Sequence, residues 1–117
     1  MIEGIGIDLV DIERFDNLVR QNPRFLEKFF SYEERQCKQI SSIAAKFAAK
    51  EALVKASTRF SLLDFKQIEV LNSESGAPFF RLHGEVANRS EDCLIHLSIS
   101  HEAGIGIAMV VIEKKID

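Results

Sequence analysis

The run from Ser42 to Ala56 contains no glycine or proline and is dominated by strong helix formers. A chain carrying such a segment is committed to a long helix there. Wound at about 100° per residue, the run gathers Ile43, Ala44, Phe47, Ala48 and Val54 on one side. Glu51 projects into the middle of that side, and Lys55 lies one turn further on, at its edge. An ionised carboxylate rarely occupies a core-facing stripe without a cation to answer it. One reading is a surface pair with Lys55 at the i,i+4 spacing, worth only about 0.2–0.5 kcal/mol. The other is a metal or phosphate site, and a second carboxylate, Asp8, favours it.

Asp8 ends a distinctive strand. Residues Ile2 to Val10 alternate, with Ile5, Ile7 and Leu9 on one face and Gly4, Gly6 and Asp8 on the other. Glycines in a strand mark close approach of another backbone or of a ligand. The strip therefore reads either as a tight crossing, with Asp8 capping the next helix, or as a track for a ligand. Residues 11 to 20 read as a helix around Ile12, Phe15, Leu18 and Val19, broken at Asn22-Pro23. Residues 24 to 30 add a turn or two, and Ser31-Tyr32-Glu33-Glu34 is a capping box opening a further helix. Beyond Ala56 the pattern shifts to strands. Phe65 to Leu71 alternates loosely, Asn72 to Gly76 is a turn, and Pro78 to Leu82 pairs back as a hairpin. Residues 84 to 90 are helix or loop. Leu94 to Ser100 and Ile105 to Ile112 are two strong strands joined by His101-Glu102-Ala103-Gly104. The expectation is one small α+β domain spanning residues 1–117: helices early, a long central helix, and an antiparallel sheet that the first strand joins.

Composition narrows the function classes. Nearly half of the residues are hydrophobic, so disorder is excluded. A net charge of −3 argues against nucleic acid as a partner. The cations are nevertheless uneven, with Arg14, Arg20, Arg24, Lys28, Arg35 and Lys38 crowding the first third; that surface could meet an acidic partner or be a solvated helical face. Cys37 and Cys93 lack metal-ligand spacing and read as reduced structural thiols. With no secretory signal and no membrane-length apolar segment, the expected location is cytoplasmic, away from the membrane.

Asp8, Glu51, Lys55 and His101 fall at or near the ends of three elements. Mg²⁺ needs only one or two protein carboxylates and keeps waters and substrate phosphates as its other ligands. A lysine nearby would hold a phosphate oxygen as a point charge, and a histidine could donate to another phosphate or act as a base. There is no Cys/His cluster for zinc, no G-x-S-x-G elbow, no Walker loop and no dinucleotide fingerprint. Glu34 reads as a capping residue, His83 and His96 as structural histidines, and Phe25, Phe29, Phe30, Phe79 and Phe80 as core or subunit contacts. The residues by themselves point to a Mg²⁺-dependent protein acting on a phosphorylated substrate.

Four segments carry a resemblance. Gly4 to Phe15 (GIGIDLVDIERF), Phe30 to Glu34 (FSYEE), Lys46 to Ala56 (KFAAKEALVKA) and Leu97 to His101 (LSISH) resemble, in order and spacing, the holo-acyl-carrier-protein synthases of the 4'-phosphopantetheinyl transferase family. That resemblance implies transfer of 4'-phosphopantetheine from coenzyme A to a serine of apo-acyl-carrier protein, releasing 3',5'-ADP, in fatty acid biosynthesis. It implies a half-size transferase domain that forms a homotrimer with active sites between subunits. Carried over by position, Asp8 and Glu51 would hold Mg²⁺, and Lys55 would steady the phosphate under attack. Lys46, Ser100 and His101 would contact coenzyme A, and Arg14, Arg20 and Arg24 would meet the acidic carrier.

One segment departs from the family. Ser57 to Leu63 replaces a glycine-containing loop and has no glycine, so its backbone cannot readily approach a ligand or adopt positive φ. Contacts of that loop to coenzyme A do not carry over, and Arg59 is the candidate substitute as phosphate ligand. Two alternatives to the transferase follow: a relative that only binds coenzyme A or a carrier protein, and a structural oligomer in which Glu51–Lys55 is a buried salt bridge.

Overall fold

A computed structural model describes residues 1–116. The elements run β1 (Ile2–Asp11), α1 (Ile12–Gln21), α2 (Phe25–Phe29), α3 (Tyr32–Arg35), α4 (Ile40–Ala56), a 3-10 helix (Leu62–Gln67), β2 (Ile68–Asn72), β3 (Pro78–Leu82), α5 (Gly84–Arg89), β4 (Cys93–Glu102) and β5 (Ile105–Lys114). Strands β1, β5 and β4 form an antiparallel sheet in that order, and β2 and β3 form a separate hairpin. The expected α+β domain, with its first strand joining the late sheet, is what forms.

Helix α4 lies on the inner face of the larger sheet, and the glycine strip is what lets it come so close. A Cβ on Gly6 would stand 1.9 Å from the Ala52 carbonyl oxygen, and one on Gly4 would stand 1.8 Å from that of Ala56. The strip is thus a docking track for helix backbone, not for a ligand. The consequence is that β1 turns Ile5, Ile7 and Leu9 outward, each more than half exposed. Asp8 does not cap α1. Asp11 does, accepting from the Arg14 N–H at 3.0 Å.

Ala44, Ala48, Ala49, Ala52 and Leu53 of α4 are fully buried, and the helix is sunk on nearly every side rather than along one stripe. Around Phe47 stand Phe15, Phe25, Phe30 and Phe65, with ring centroids 5.4 to 6.1 Å away. Of the phenylalanines expected as core or subunit contacts, Phe25, Phe29, Phe30 and Phe80 pack inward, while Phe79 remains exposed.

The surprise in α4 is Lys50, which is entirely buried. Its Nζ donates to Glu34 Oε1 at 2.7 Å, to the Phe29 carbonyl at 2.7 Å and to the Phe65 carbonyl at 3.0 Å. All three ammonium protons therefore have acceptors, and the Phe30 ring centroid lies 4.4 Å away. Glu34 completes the expected capping box with Ser31 and also accepts from the Val70 N–H at 3.0 Å. The second departure, at Phe65 to Gln67, follows from this. Those residues form a 3-10 helix instead of a strand start, because Ser61 and Asp64 make a capping box and Lys50 takes the Phe65 carbonyl. Local hydrogen bonds outweigh a weak alternation. Strand β2 begins only at Ile68.

A second buried carboxylate, Glu69, accepts from Ser31 Oγ at 2.5 Å, from Arg81 Nε at 3.1 Å and from His83. Burial pushes its pKa up, but the hydrogen bonds from Ser31, His83 and Arg81 outweigh that and bring it down to about 2.

Two outcomes follow. Lys50→Met alone leaves Glu34 ionised in the core and should cost about 3–5 kcal/mol in urea unfolding. Lys50→Met with Glu34→Gln should recover part of that loss, because no charge is left unpaired in the core, although the single amide oxygen can accept from only one of the Ser31 and Val70 N–H groups. For Glu69 the folded pKa lies below the unfolded value. Its contribution, on the order of 3 kcal/mol, is present above about pH 4.5 and is lost as pH falls towards about 2. Glu69→Gln should flatten the stability–pH curve across that window.

Candidate active site

Gly6 brings β1 against α4, and Asp8, two residues on and facing the same way, meets the helix where Glu51 and Lys55 emerge. Lys55 Nζ lies 2.6 Å from Asp8 Oδ1 and 3.2 Å from the Ile7 carbonyl oxygen. The lysine's partner is thus a carboxylate from another element, and the i,i+4 pair with Glu51 does not form. The hydrogen bond and charge of Asp8 raise the Lys55 pKa.

Glu51 is half-buried. Burial, followed by the charge of Asp8 and a hydrogen bond with it, pushes its carboxyl up to about 7. Two carboxyl groups this close do not both ionise readily without a cation. The pair fits a hard divalent ion, which would offset the cost of ionising Glu51 there, with Lys55 beside it for a phosphate oxygen. Among the described residues there is no group of three or more His, Cys, Asp or Glu side chains placed to hold a metal ion. Two carboxylates are all that Mg²⁺ requires of the protein.

Glu51 opens into a cleft of about 490 Å³ between β1 and α1, where Arg14, Leu18 and Gln21 also line the wall. Lys46 and His101 line a different cleft, of about 200 Å³, with Ser42, Asn72 and Gly76. Five residues separate Lys46 from Glu51, which is about 140° around a helix. The chain therefore gathers Asp8, Glu51 and Lys55 on one side of α4, and Lys46 with His101 on the other. Ser100 sits in neither cleft. It pairs with Ile107 and points to the outer face of the sheet, as alternation from His101 requires.

The arginines separate too. Arg14 lines the Glu51 cleft, Arg20 is paired with Asp16 at 3.2 Å, and Arg24 lies beyond the end of α1. Arg59 is already committed: it is bonded to Glu3 at 2.7 Å, to Asp92 at 2.6 Å and to the Arg89 carbonyl at 2.7 Å. The glycine-free loop is thus pinned by ion pairs, with Phe60 buried beneath it and no positive φ within it. A guanidinium held this way is not a free phosphate ligand.

Sequence reasoning missed Lys50, although a cation among Ala48, Ala49 and Ala52 on a helix with no polar face was the available signal. It also missed Glu69, whose partners are the residue that caps α3, one residue of β3 and the residue that precedes α5, and leave no local trace.

The chain belongs to the 4'-phosphopantetheinyl transferase superfamily, whose family model matches residues 4–108. Within it, this chain is similar to the holo-[acyl-carrier-protein] synthase of Oceanobacillus iheyensis, at 38% identity over 98% of this chain and 99% of that protein. The acyl carrier protein synthase of Mycobacterium tuberculosis superposes with a TM-score of 0.81 at 34% identity, covering 97% of this chain and 99% of that one. The holo-[acyl-carrier-protein] synthase of Helicobacter pylori, solved in complex with coenzyme A, gives a TM-score of 0.75 at 38% identity, covering 93% and 99%.

The glycine strip makes a direct test of how Asp8 is placed. Gly6→Ala should cost about 1–3 kcal/mol by forcing β1 off α4. It should also weaken the Asp8–Lys55 contact, seen as a smaller effect of Asp8→Asn on the Lys55 pKa measured by NMR.

Proposed function

We infer that this protein is a holo-acyl-carrier-protein synthase, transferring 4'-phosphopantetheine from coenzyme A to a serine of apo-acyl-carrier protein. The serine hydroxyl gives its proton to a base, either a water or a carboxylate such as Glu51, and its oxygen bonds to the phosphorus bearing the pantetheine arm. The phosphoanhydride bond breaks, and 3',5'-ADP leaves with the electron pair. The observation that carries this reading is the meeting of Asp8, Glu51 and Lys55 from two elements, with Lys55 2.6 Å from Asp8.

In such a reaction negative charge builds on the bridging and equatorial phosphate oxygens, so positioning and cations lower the barrier. Lys55, exposed at its tip and anchored to Asp8, reaches toward a phosphate oxygen as a fixed positive charge. Asp8 and Glu51 would hold Mg²⁺, which when bound supplies a second centre of positive charge at the pyrophosphate. Arg14 lines the cleft at Glu51 and favours entry of an acidic acceptor. The nucleophile comes with the partner, which agrees with a site built of carboxylates and cations alone.

The reading also includes a homotrimer. Ile5, Ile7, Leu9, Ile107, Met109 and Val111 form a continuous apolar band on the outer face of the β1–β5–β4 sheet. A contiguous exposed patch of this kind is an interaction surface. In the family that the chain belongs to, the resemblance implies active sites between subunits, and the separation of the Lys46–His101 cleft from the Asp8–Glu51–Lys55 group within one chain supports that arrangement. Work in the cytoplasm fits both the coenzyme A donor and the free thiols of Cys37 and Cys93. A relative that binds coenzyme A without transferring from it is the second reading, favoured by the pinned Ser57–Leu63 loop.

Intact-mass spectrometry of an apo-acyl-carrier protein with this protein, coenzyme A and Mg²⁺ decides between them. The transferase gives a phosphopantetheine-sized mass gain that EDTA abolishes. Asp8→Ala or Glu51→Ala should lower the rate at least about 100-fold with the fold intact. Wild-type rates in either variant would sink the assigned roles, and coenzyme A binding without a mass gain would establish the second reading.

A further inference from the structure

The guanidinium of Arg59 has all five of its N–H donors in use. It grips both carboxylate oxygens of Glu3, at 2.8 and 2.7 Å. On its other side it grips both oxygens of Asp92, at 2.6 and 3.1 Å, and donates to the Arg89 carbonyl at 2.7 Å. Arg89 returns the contact, donating to the Arg59 carbonyl at 2.7 Å and to Asp64 at 2.9 Å. A two-sided fork of this kind needs a planar guanidinium, and the ammonium of a lysine cannot span it.

The fork is placed directly after Lys55. Glu3 also accepts from Ser57 Oγ at 3.2 Å, and Ser57 Oγ accepts from the Arg59 N–H at 3.1 Å. Helix α4 ends on Ser57, which is extended rather than in the left-handed turn that glycine commonly makes there. The clamp therefore fastens the last turn of α4 to the start of β1. On the strand side Glu3 adjoins Gly4, whose missing Cβ makes room for the Ala56 carbonyl. Farther along the same strand stand the Ile7 carbonyl and Asp8, on which the Lys55 ammonium rests. The backbone of Lys55 is thus held at one point of β1 and its tip at another. Between the two the side chain is more than half exposed and borders an open cleft of about 500 Å³. Packing alone does not fix a long, flexible side chain in such surroundings.

We propose that Arg59 is a positioning residue for the transfer: its fork to Glu3 and Asp92 sets the last turn of α4 against β1 and so aims Lys55 at the phosphate. The proposal rests on the transferase reading. A cation lowers the barrier only where negative charge develops, and a misplacement of about 1 Å can cost about 100-fold in rate. With every donor in use, Arg59 acts on the substrate only through the residues it holds. The glycine-free loop is then the part of this chain that builds the clamp, because it carries both Ser57 and Arg59.

The test is a double-mutant cycle on the full chain, with Arg59→Gln, Lys55→Met and the two combined. Turnover is read by intact-mass spectrometry of an apo-acyl-carrier protein, coenzyme A affinity by calorimetry, and stability by the urea midpoint. Arg59→Gln should lower turnover about tenfold and weaken coenzyme A binding about threefold. In the Lys55→Met background the same change should alter either quantity by less than about twofold, because the lysine it aims is gone. A general loosening of the fold would instead lower both by the same factor in either background, and that result would overturn the proposal. So would unchanged turnover and affinity in Arg59→Gln. Arg59→Lys keeps the charge without the fork and should stay at least about threefold below wild type; full recovery there would overturn the role of the fork. Glu3→Gln, which leaves Arg59 bonded to Asp92, is the milder variant should Arg59→Gln fail to fold. It should give about a threefold loss of turnover that likewise vanishes in the Lys55→Met background, and an equal loss there would overturn the proposal. A wild-type protein that binds coenzyme A without any mass gain would sink the transferase reading, while non-additivity in affinity would still uphold Arg59 as the residue that places Lys55.

Discussion

Lys50 brings a full positive charge into a place that water does not reach, and several parts of the fold are organised around satisfying it. An unpaired ammonium there would be prohibitively costly, so each of its protons must find an acceptor. Glu34 supplies the counter-charge, while Phe29 and Phe65 supply carbonyls from two segments that otherwise have little reason to meet. Glu34 in turn holds the Ser31 cap and the middle of β2, at Val70. One side chain thereby ties α2, α3, the 3-10 helix and the hairpin onto α4. A pair of well-packed apolar residues could be as stable, but it would not name its partners so narrowly.

The opposite side of α4 works by a different principle. There the constraint is distance rather than charge, because Gly4 and Gly6 let the strand backbone press against Ala52 and Ala56. The two constraints together fix the helix in rotation and in depth. Asp8 then arrives beside Glu51 and Lys55 without any loop needing to be ordered. A site carried on a strand and a helix, each locked by packing, is held more tightly than one carried on loops. The raised pKa of Glu51 is the electrostatic mark of that arrangement, since its carboxyl is half-buried and, beyond that, faces the charge of Asp8.

The same geometry has a cost on the other face of the sheet. Turning the glycines inward turns Ile5, Ile7 and Leu9 outward, and the contact that builds the Asp8–Glu51–Lys55 group also creates an apolar outer face. Lys46 and His101 stand on the far side of α4 from Glu51. The pinned loop at Arg59 belongs to this picture as well: ion pairs to Glu3 and Asp92 shape it where glycine would otherwise have allowed a tighter path.

Much of this was legible in the residues. The absence of glycine and proline from Ser42 to Ala56 made α4 certain, the alternation of Ile2 to Val10 made β1, and the Ser31–Glu34 spacing made a capping box. Each of these depends on neighbours within a turn or two, where sequence spacing and spatial spacing are the same thing. The resemblance of four segments to one family likewise pointed to Asp8, Glu51 and Lys55. What the sequence could not decide was every choice between partners far apart in the chain. Periodicity drew attention to Glu51 as the buried charge, but the core took Lys50, because Glu34 and two carbonyls were waiting where that lysine points. Alternation gave β1 two faces without saying which was inner; the close approach of α4 chose the glycines. Lys55 could have paired with Glu51 one turn away, and it took Asp8 instead because the folded backbone brought that carboxylate nearer.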